Sequence, residues 1–436
     1  MSKNKPSMYS KRRRELMQMM EGGVAVIPTA PEQSRNGDVL YQFRPDSDFY
    51  YLSHFPEPES VMVLAPGRAA GEFIIFCRER DTAREMWDGR RTGIEGAVDF
   101  YEADDSFPIE DIDEILPGLL ENREKVYCSM GRYPEFDSRL IQWMTEVKGK
   151  VRTGIHAPGE LVDIGHILHE MRLIKGADEQ KLMRKAGKIS ADAHCRAMRA
   201  CKPGMYEYQL EAELEYGFRL GGSHYPAYPS IVASGGNACI LHYTENTEQL
   251  RDGDLVLIDA GAELDCYASD ITRTFPVNGK FSTAQKAVYD VVLESQYAAI
   301  AACGKDKEWN DPHNAAVNVL CQGMLDLGLL KGSFDEAMET HAYRRFYMHR
   351  TGHWLGIDVH DVGDYRLEAQ WRPLEPGMVL TVEPGMYISP AEDVAEEFHN
   401  IGIRIEDDVL ITRNGPEILS SGVPKTTEDI EALMQQ

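Results

Sequence analysis

The sequence predicts an α/β domain followed by an α+β domain, and three observations carry that prediction. The chain has 436 residues, more than one domain of ordinary size holds. Between residues 23 and 150, short apolar runs alternate with helix-like stretches, the pattern of helices layered on a sheet. Beyond residue 175 the order changes to a long helix and then to groups of strands separated by helices.

Taken in order, the elements begin with a basic run, Lys11 to Arg14, which opens the helix-like stretch ending at Met20 and reads as a solvated helix start. No apolar segment of leader-peptide length follows the basic start, and no run reaches about 18 apolar residues, so the expected location is the cytoplasm. Strands are expected at 23–28, 60–65, 72–77 and 125–128, with a helix at 135–144. The domain boundary is placed between residues 174 and 175, giving domains 1–174 and 175–436. A helix over 177–200 is stopped by Cys201-Lys-Pro-Gly204. A helix at 206–220, a strand at 228–233, a hairpin at 254–275 and two or three helices between 282 and 345 complete the run to the last strands.

Composition excludes some functions. A formal charge of -25 and a pI near 4.9 argue against nucleic-acid binding and against adhesion to anionic membranes. Eight cysteines include no Cys-x-x-Cys pair, which argues against a zinc ribbon or a thioredoxin-like site.

The chemistry gathers in acids that end apolar sequence. Asp259 closes the run Leu255-Val-Leu-Ile-Asp259, and Asp270 opens the returning segment. A tight turn centred between Leu264 and Asp265 sets Asp259 directly opposite Asp270, their Cβ atoms roughly 5 Å apart. Two carboxylates so close share a proton or hold cations. Glu383 ends the strand-like Met378-Val-Leu-Thr-Val, and Pro384 favours extended backbone there. In Asn400-Ile-Gly-Ile-Arg-Ile-Glu406, alternation sends Ile401, Ile403 and Ile405 to one face and Arg404 and Glu406 to the other, so Glu406 needs Arg404, a metal or both. His349, His353 and His360 share one Gly-bearing stretch, with His353 the expected ligand. Gly352 and the lack of a following Glu speak against a helical zinc motif at His349 and His353. Four carboxylates and one imidazole are hard ligands that suit Mn2+ and other divalent first-row ions.

These motifs, Ile258-Asp259-Ala-Gly, Ser269-Asp270-Ile-Thr-Arg-Thr-Phe, His353-Trp-Leu-Gly-Ile-Asp-Val-His360, Thr381-Val-Glu383-Pro-Gly and Gly402-Ile-Arg-Ile-Glu406-Asp, resemble those of the pita-bread metallopeptidases. Segments 44–58 and 86–93 resemble the non-catalytic domain of bacterial aminopeptidase P. The resemblance implies an α/β N-terminal domain plus an α+β pita-bread (creatinase/aminopeptidase-like) catalytic domain. It implies two divalent metal ions, Mn2+ first and Co2+, Fe2+ or Zn2+ as alternatives. Asp259, Asp270 and Glu406 would hold one ion, and Asp270, His353, Glu383 and Glu406 the other.

By the same resemblance, water activated between the ions attacks the bond before a penultimate proline. Glu383 moves the proton and Arg404 orients Glu406. His242 and His360 contact substrate or the tetrahedral intermediate, and His349 is a wall residue and substrate contact. The residues alone leave Trp87 open between a core aromatic and a pocket residue; by analogy Trp87 or Asp38 closes the pocket of its own or a neighbouring subunit. The implied partners are peptides with proline second and further copies of the chain, as a dimer or tetramer. A prolidase restricted to Xaa-Pro dipeptides is the nearest alternative reading, and a peptide-binding module without activity the third. Arg350 stands where many relatives carry a small residue, which leaves the pocket's shape at that point open.

Overall fold

The computed structural model describes residues 7–436; the first six residues, part of the leader-peptide reading, lie outside it. The chain divides into two compact units, with the division after Met171 rather than after residue 174. The physical reason lies in Arg172 and Lys175, whose buried side chains pair with Asp361 of the second unit at 2.5 and 2.8 Å.

In the first unit a mixed six-stranded sheet runs in the order 105–108, 73–77, 61–64, 24–28, 125–128 and 160–163. The central strand Val24–Pro28 is buried throughout because it has a neighbour on each side, antiparallel Val61–Leu64 and parallel Lys125–Cys128. Val24, Val26, Val63, Ile74 and Val126 pack against Leu116, Trp143 and Val147 of the helices Ile112–Leu120 and Pro134–Gly149. The two edge strands, Asp105–Pro108 and Glu160–Asp163, are only partly buried and lack an apolar run, so sequence periodicity does not reveal them.

The basic run at the start is only half solvated, Lys11 and Arg14 being exposed. It lies in the helix Met8–Met19, where Arg12 and Arg13 are buried. Their guanidinium groups donate to the carbonyls of Tyr51 and Leu52 at 2.9 and 2.8 Å and lie over the rings of Tyr51 and Phe73. Those carbonyls belong to the last turn of the helix Ser47–Ser53, where helical partners run out and cations are favoured.

The second unit opens on the helix Ala177–Ala200, which packs on Glu207–Leu220. Three further α-helices lie between residues 282 and 345, Thr283–Ala301, Asp311–Asp326 and Phe334–Glu339, and a fourth, Thr427–Met434, near the end; the first begins at a capping box of Ser282 and Gln285. The strand expected from Tyr228 begins only at Ile231, leaving Tyr228 in the preceding loop. Ile401, Ile403 and Ile405 join one large core with Ile258, Phe275 and Tyr289, so the face assigned to them by alternation is the buried one.

Candidate active site

Two hairpins and one loop position the acids. In the first hairpin, Leu255–Asp259 pairs with Thr272–Pro276 and places Asp259 opposite Thr272, not Asp270. The turn sits one position later than expected, at Asp265 and Cys266, both with positive φ (48° and 64°), as a two-residue type I′ turn requires. Asp-Cys lacks the Gly that usually marks such a turn, so the register was not legible. A two-residue change of partner keeps side chains on the same face. Asp259 and Asp270 therefore still converge, and the Tyr228 hydroxyl joins them, 2.6 Å from Asp259 Oδ1 and in contact with Asp270 Oδ1.

The second hairpin repeats the arrangement. Val379–Val382 pairs with Asp407–Thr412 and Gly385–Ile388 pairs with Ile401–Arg404. Glu383 and Glu406 occupy the gap between those two ladders, facing each other in register. The hairpins are joined where Glu406 N–H donates to Thr272 O at 3.0 Å and Arg404 N–H to the Thr274 hydroxyl at 3.2 Å.

The histidine loop lies along the strand that leads to Glu383. Glu383 N–H donates to Thr351 O at 2.8 Å and Thr381 N–H to His353 O at 2.9 Å. Gly352 permits this approach, since a Cβ there would lie 2.0 Å from Thr381 O. The stretch from His349 to His353 is not helical.

Donor atoms of Asp270, His353 and Glu406 all fall within 4.8 Å of one another. His353 Nε2 is 3.4 Å from Asp270 Oδ2 and 3.7 Å from Glu383 Oε1. Its Nδ1 lies 2.9 Å from Trp354 O, which only accepts; Nδ1 therefore carries the proton and Nε2 is aimed at the acids. Burial opposes charge on His353, but the hydrogen bond to Asp270 and the charges of Glu383 and Asp270 raise its pKa to about 9.

Burial and neighbouring carboxylates push Glu383 up to about 7 and Glu406 well above the usual range. Burial also raises Asp259, against the pull of Arg404. Asp270 is held low despite burial by His353 and Tyr228. Four carboxylates gathered so closely, three of them buried and three with ionisation opposed by burial, are satisfied by two dications, so this donor set fits a paired-metal site.

Arg404 differs from the expectation. It does not touch Glu406 directly but donates to Asp259 Oδ2 at 2.6 Å, Thr272 Oγ1 at 3.1 Å and the Tyr387 hydroxyl at 3.0 Å. Thr272 in turn donates to Glu406 Oε2 at 2.6 Å. Tyr228, Thr272 and Tyr387 were not anticipated. Thr272 had a signal, lying two residues after Asp270 and hence on its face; the two tyrosines had none.

A cavity of about 780 Å³ opens over the acids, and His242, His349 and His360 line it. His360 meets the His353 ring edge to face at 4.4 Å, and burial followed by the His353 charge lowers its pKa. His349 Nε2 lies 2.9 Å from the Tyr387 hydroxyl; burial, then Arg404, lowers its pKa to about 4, so it is neutral at pH 7. Trp87, on the helix Thr82–Asp88, is 87% exposed and so is not a core aromatic. Asp38 is exposed in the hairpin of Ser34–Asn36 and Val39–Leu40. Both residues belong to the first unit, and the residues that line the cavity belong to the second.

Paired buried acids at strand ends, a metal-directed imidazole and an open cavity define the class. Residues 181–413 match the model of metallopeptidase family M24, and residues 9–127 that of the aminopeptidase P N-terminal domain. The chain belongs to metallopeptidase family M24, with the pita-bread catalytic domain that its motifs imply. It is 45% identical over 428 residues to the Xaa-Pro aminopeptidase of Escherichia coli (strain K12), spanning 98% of this chain and 97% of that protein. The structure of Pseudomonas aeruginosa aminopeptidase PepP superposes with a TM-score of 0.97 at 57% identity, covering 98% of this chain and 97% of that one. Aminopeptidase P from E. coli with the inhibitor Pro-Leu matches at 0.95 and 45%, covering 98% of both chains.

Proposed function

We propose that this protein is an Xaa-Pro aminopeptidase, which removes the first residue of peptides whose second residue is proline. The observation that carries the reading is the convergence of Asp259, Asp270, His353, Glu383 and Glu406 at the floor of one cavity. The likeness to aminopeptidase P across both domains supports the rest and disfavours a dipeptide-restricted prolidase.

Asp259, Asp270 and Glu406 would hold one divalent ion, and Asp270, His353, Glu383 and Glu406 the second. When bound, the ions polarise the scissile carbonyl and acidify the attacking water. Glu383, which lines the cavity beside His353, is suited to take that water's proton and deliver it to the departing proline nitrogen. Arg404 fixes Asp259 and, through Thr272, Glu406. His242 and His360 offer N–H groups to the oxygen that gains charge. His349 contacts substrate from the wall. Proline has no N–H and a fixed φ, so a cavity fitted to its ring selects the second residue.

Manganese is the proposed ion because the donors are oxygen-rich. Among the described residues no helix is long and apolar enough to cross a membrane, and the cytoplasm is the proposed compartment. A homo-oligomer, dimer or tetramer, is the proposed assembly. The reading is tested by chelating the protein and reloading it with Mn2+ while following release of the first residue from Xaa-Pro-Yaa peptides. Activity lost on chelation and restored by metal is expected. Full turnover by metal-free protein would overturn the mechanism.

A further inference from the structure

The cavity wall carries one cation that the chemistry above does not use. Five carboxylates line the cavity, those of Asp259, Asp270, Glu383, Glu406 and Asp358, against two guanidinium groups, Arg404 and Arg350. Arg404 is committed to Asp259, Thr272 and Tyr387. Arg350 has no carboxylate partner among the described residues. Its Nη2 donates to Asn310 Oδ1, and its guanidinium carbon lies 5.3 Å from the centre of the Trp371 ring. Asn310 is itself fixed, its Nδ2 donating to Asn314 Oδ1 at 2.9 Å. The guanidinium is thus steadied from one edge and one face, on a residue that lines the cavity.

The surroundings add positive charge. Arg366 stacks on the same Trp371 ring at 3.8 Å. Partial burial first, and then Arg366 and Arg344 against the opposing pull of Tyr347 and Tyr343, lower the pKa of Arg350 in a chain of net charge -25. A side chain so placed is favoured by an incoming anion.

The position sets which anion. Arg350 follows His349, whose Nδ1 is 3.9 Å from Glu383 Oε2, and both residues line the cavity that holds the acids. Two residues beyond the scissile bond span roughly 7 Å in extended form, within reach of an arginine from that wall. A planar fork of N–H donors matches a carboxylate with two parallel hydrogen bonds.

We propose that Arg350 is a specificity-determining residue that receives the free C-terminal carboxylate of Xaa-Pro-Yaa tripeptides, so that this enzyme favours tripeptide acids over the same peptides with a neutral end. The proposal rests on the aminopeptidase reading. It is tested with Mn2+-loaded protein on Ala-Pro-Ala, its C-terminal amide, and the amide of Ala-Pro-Glu, in the wild type and in Arg350→Gln, Arg350→Lys and Arg366→Gln. Metal content and thermal unfolding monitor the integrity of each variant.

In the wild type, kcat/KM for the acid should exceed that for the amide by about tenfold. Arg350→Gln should bring this ratio close to one, Arg350→Lys should leave it in between, and Arg366→Gln should retain it. An acid-to-amide ratio that is the same in wild type and Arg350→Gln overturns the proposal. So does a preference that appears only for the Ala-Pro-Glu amide, which would assign Arg350 to an acidic side chain instead. Failure of the wild type to cleave any of the three peptides overturns the aminopeptidase reading, and this proposal with it.

Discussion

Arg404 and Thr272 form one hydrogen-bonded unit between Asp259 and Glu406, so Arg404→Ala should act on two ligands at once. We predict a loss of about 10- to 100-fold in kcat/KM, the usual scale for a residue that orients metal ligands. The fold should survive, because Ile401, Ile403 and Ile405 keep the other face buried. Circular dichroism and steady-state rates on one preparation check this, and wild-type turnover would refute it. Glu383→Ala, Asp270→Ala and Glu406→Ala should each reduce hydrolysis below detection. For Asp270→Ala and Glu406→Ala, whose carboxylates would serve both ions, direct metal analysis should also show less than two equivalents per chain. The four candidate acids stood out because each lies at the end of apolar sequence, while His353 came from a Gly-bearing stretch of three histidines and the grouping of all five as ligands from the family resemblance. Tyr228 and Tyr387 were not legible, since a buried hydroxyl that bonds across the fold leaves no local pattern.

Strands and loops set the precision of the site, and the tightest approach is at Gly352. A Cβ there would overlap the carbonyl of Thr381, in the strand that leads to Glu383. Gly352→Ala must push the histidine loop and that strand apart, moving His353 relative to Glu383. We predict Mn2+ affinity at least tenfold weaker by calorimetry, on the scale that disturbing ligand orientation produces. Unchanged affinity would mean that the loop is free to adjust. The elements themselves were partly legible. The helix Ala177–Ala200 agrees with its predicted bounds because apolar periodicity and a Pro-Gly stop act together. The hairpin register was displaced, because a type I′ turn at Asp265 and Cys266 carries no glycine signal. The edge strands were missed because half-exposed strands need no continuous apolar run.

Across the whole molecule, two layers of evidence agree: composition and periodicity pointed to two domains, while only the family resemblance pointed to the pita-bread form of the second. Its stability carries a pH signature from His194, which is buried in the helix Ala177–Ala200 and donates from Nε2 to Ala260 O at 2.8 Å. Burial lowers its pKa from 6.5 to about 4. The unfolded chain therefore binds a proton between those values that the folded chain refuses, and stability falls as pH drops from about 6.5 toward 4. The largest contribution is about 3 kcal/mol, from 1.36 kcal/mol per pKa unit. Chemical unfolding of the wild type and His194→Gln at pH 7 and pH 4 isolates it: the wild type should lose about that much more. Equal losses would contradict the assignment.

The measurement that bears most directly on the central claim compares Ala-Pro-Ala, Ala-Pro and Ala-Ala-Ala as substrates of the Mn2+-loaded protein, with products identified by mass. The account predicts free alanine and Pro-Ala from the first, slower cleavage of the dipeptide, and no measurable cleavage of the third. A kcat/KM for Ala-Pro about tenfold above that for Ala-Pro-Ala, roughly 1.4 kcal/mol in transition-state binding, or cleavage of Ala-Ala-Ala at a comparable rate, would contradict it.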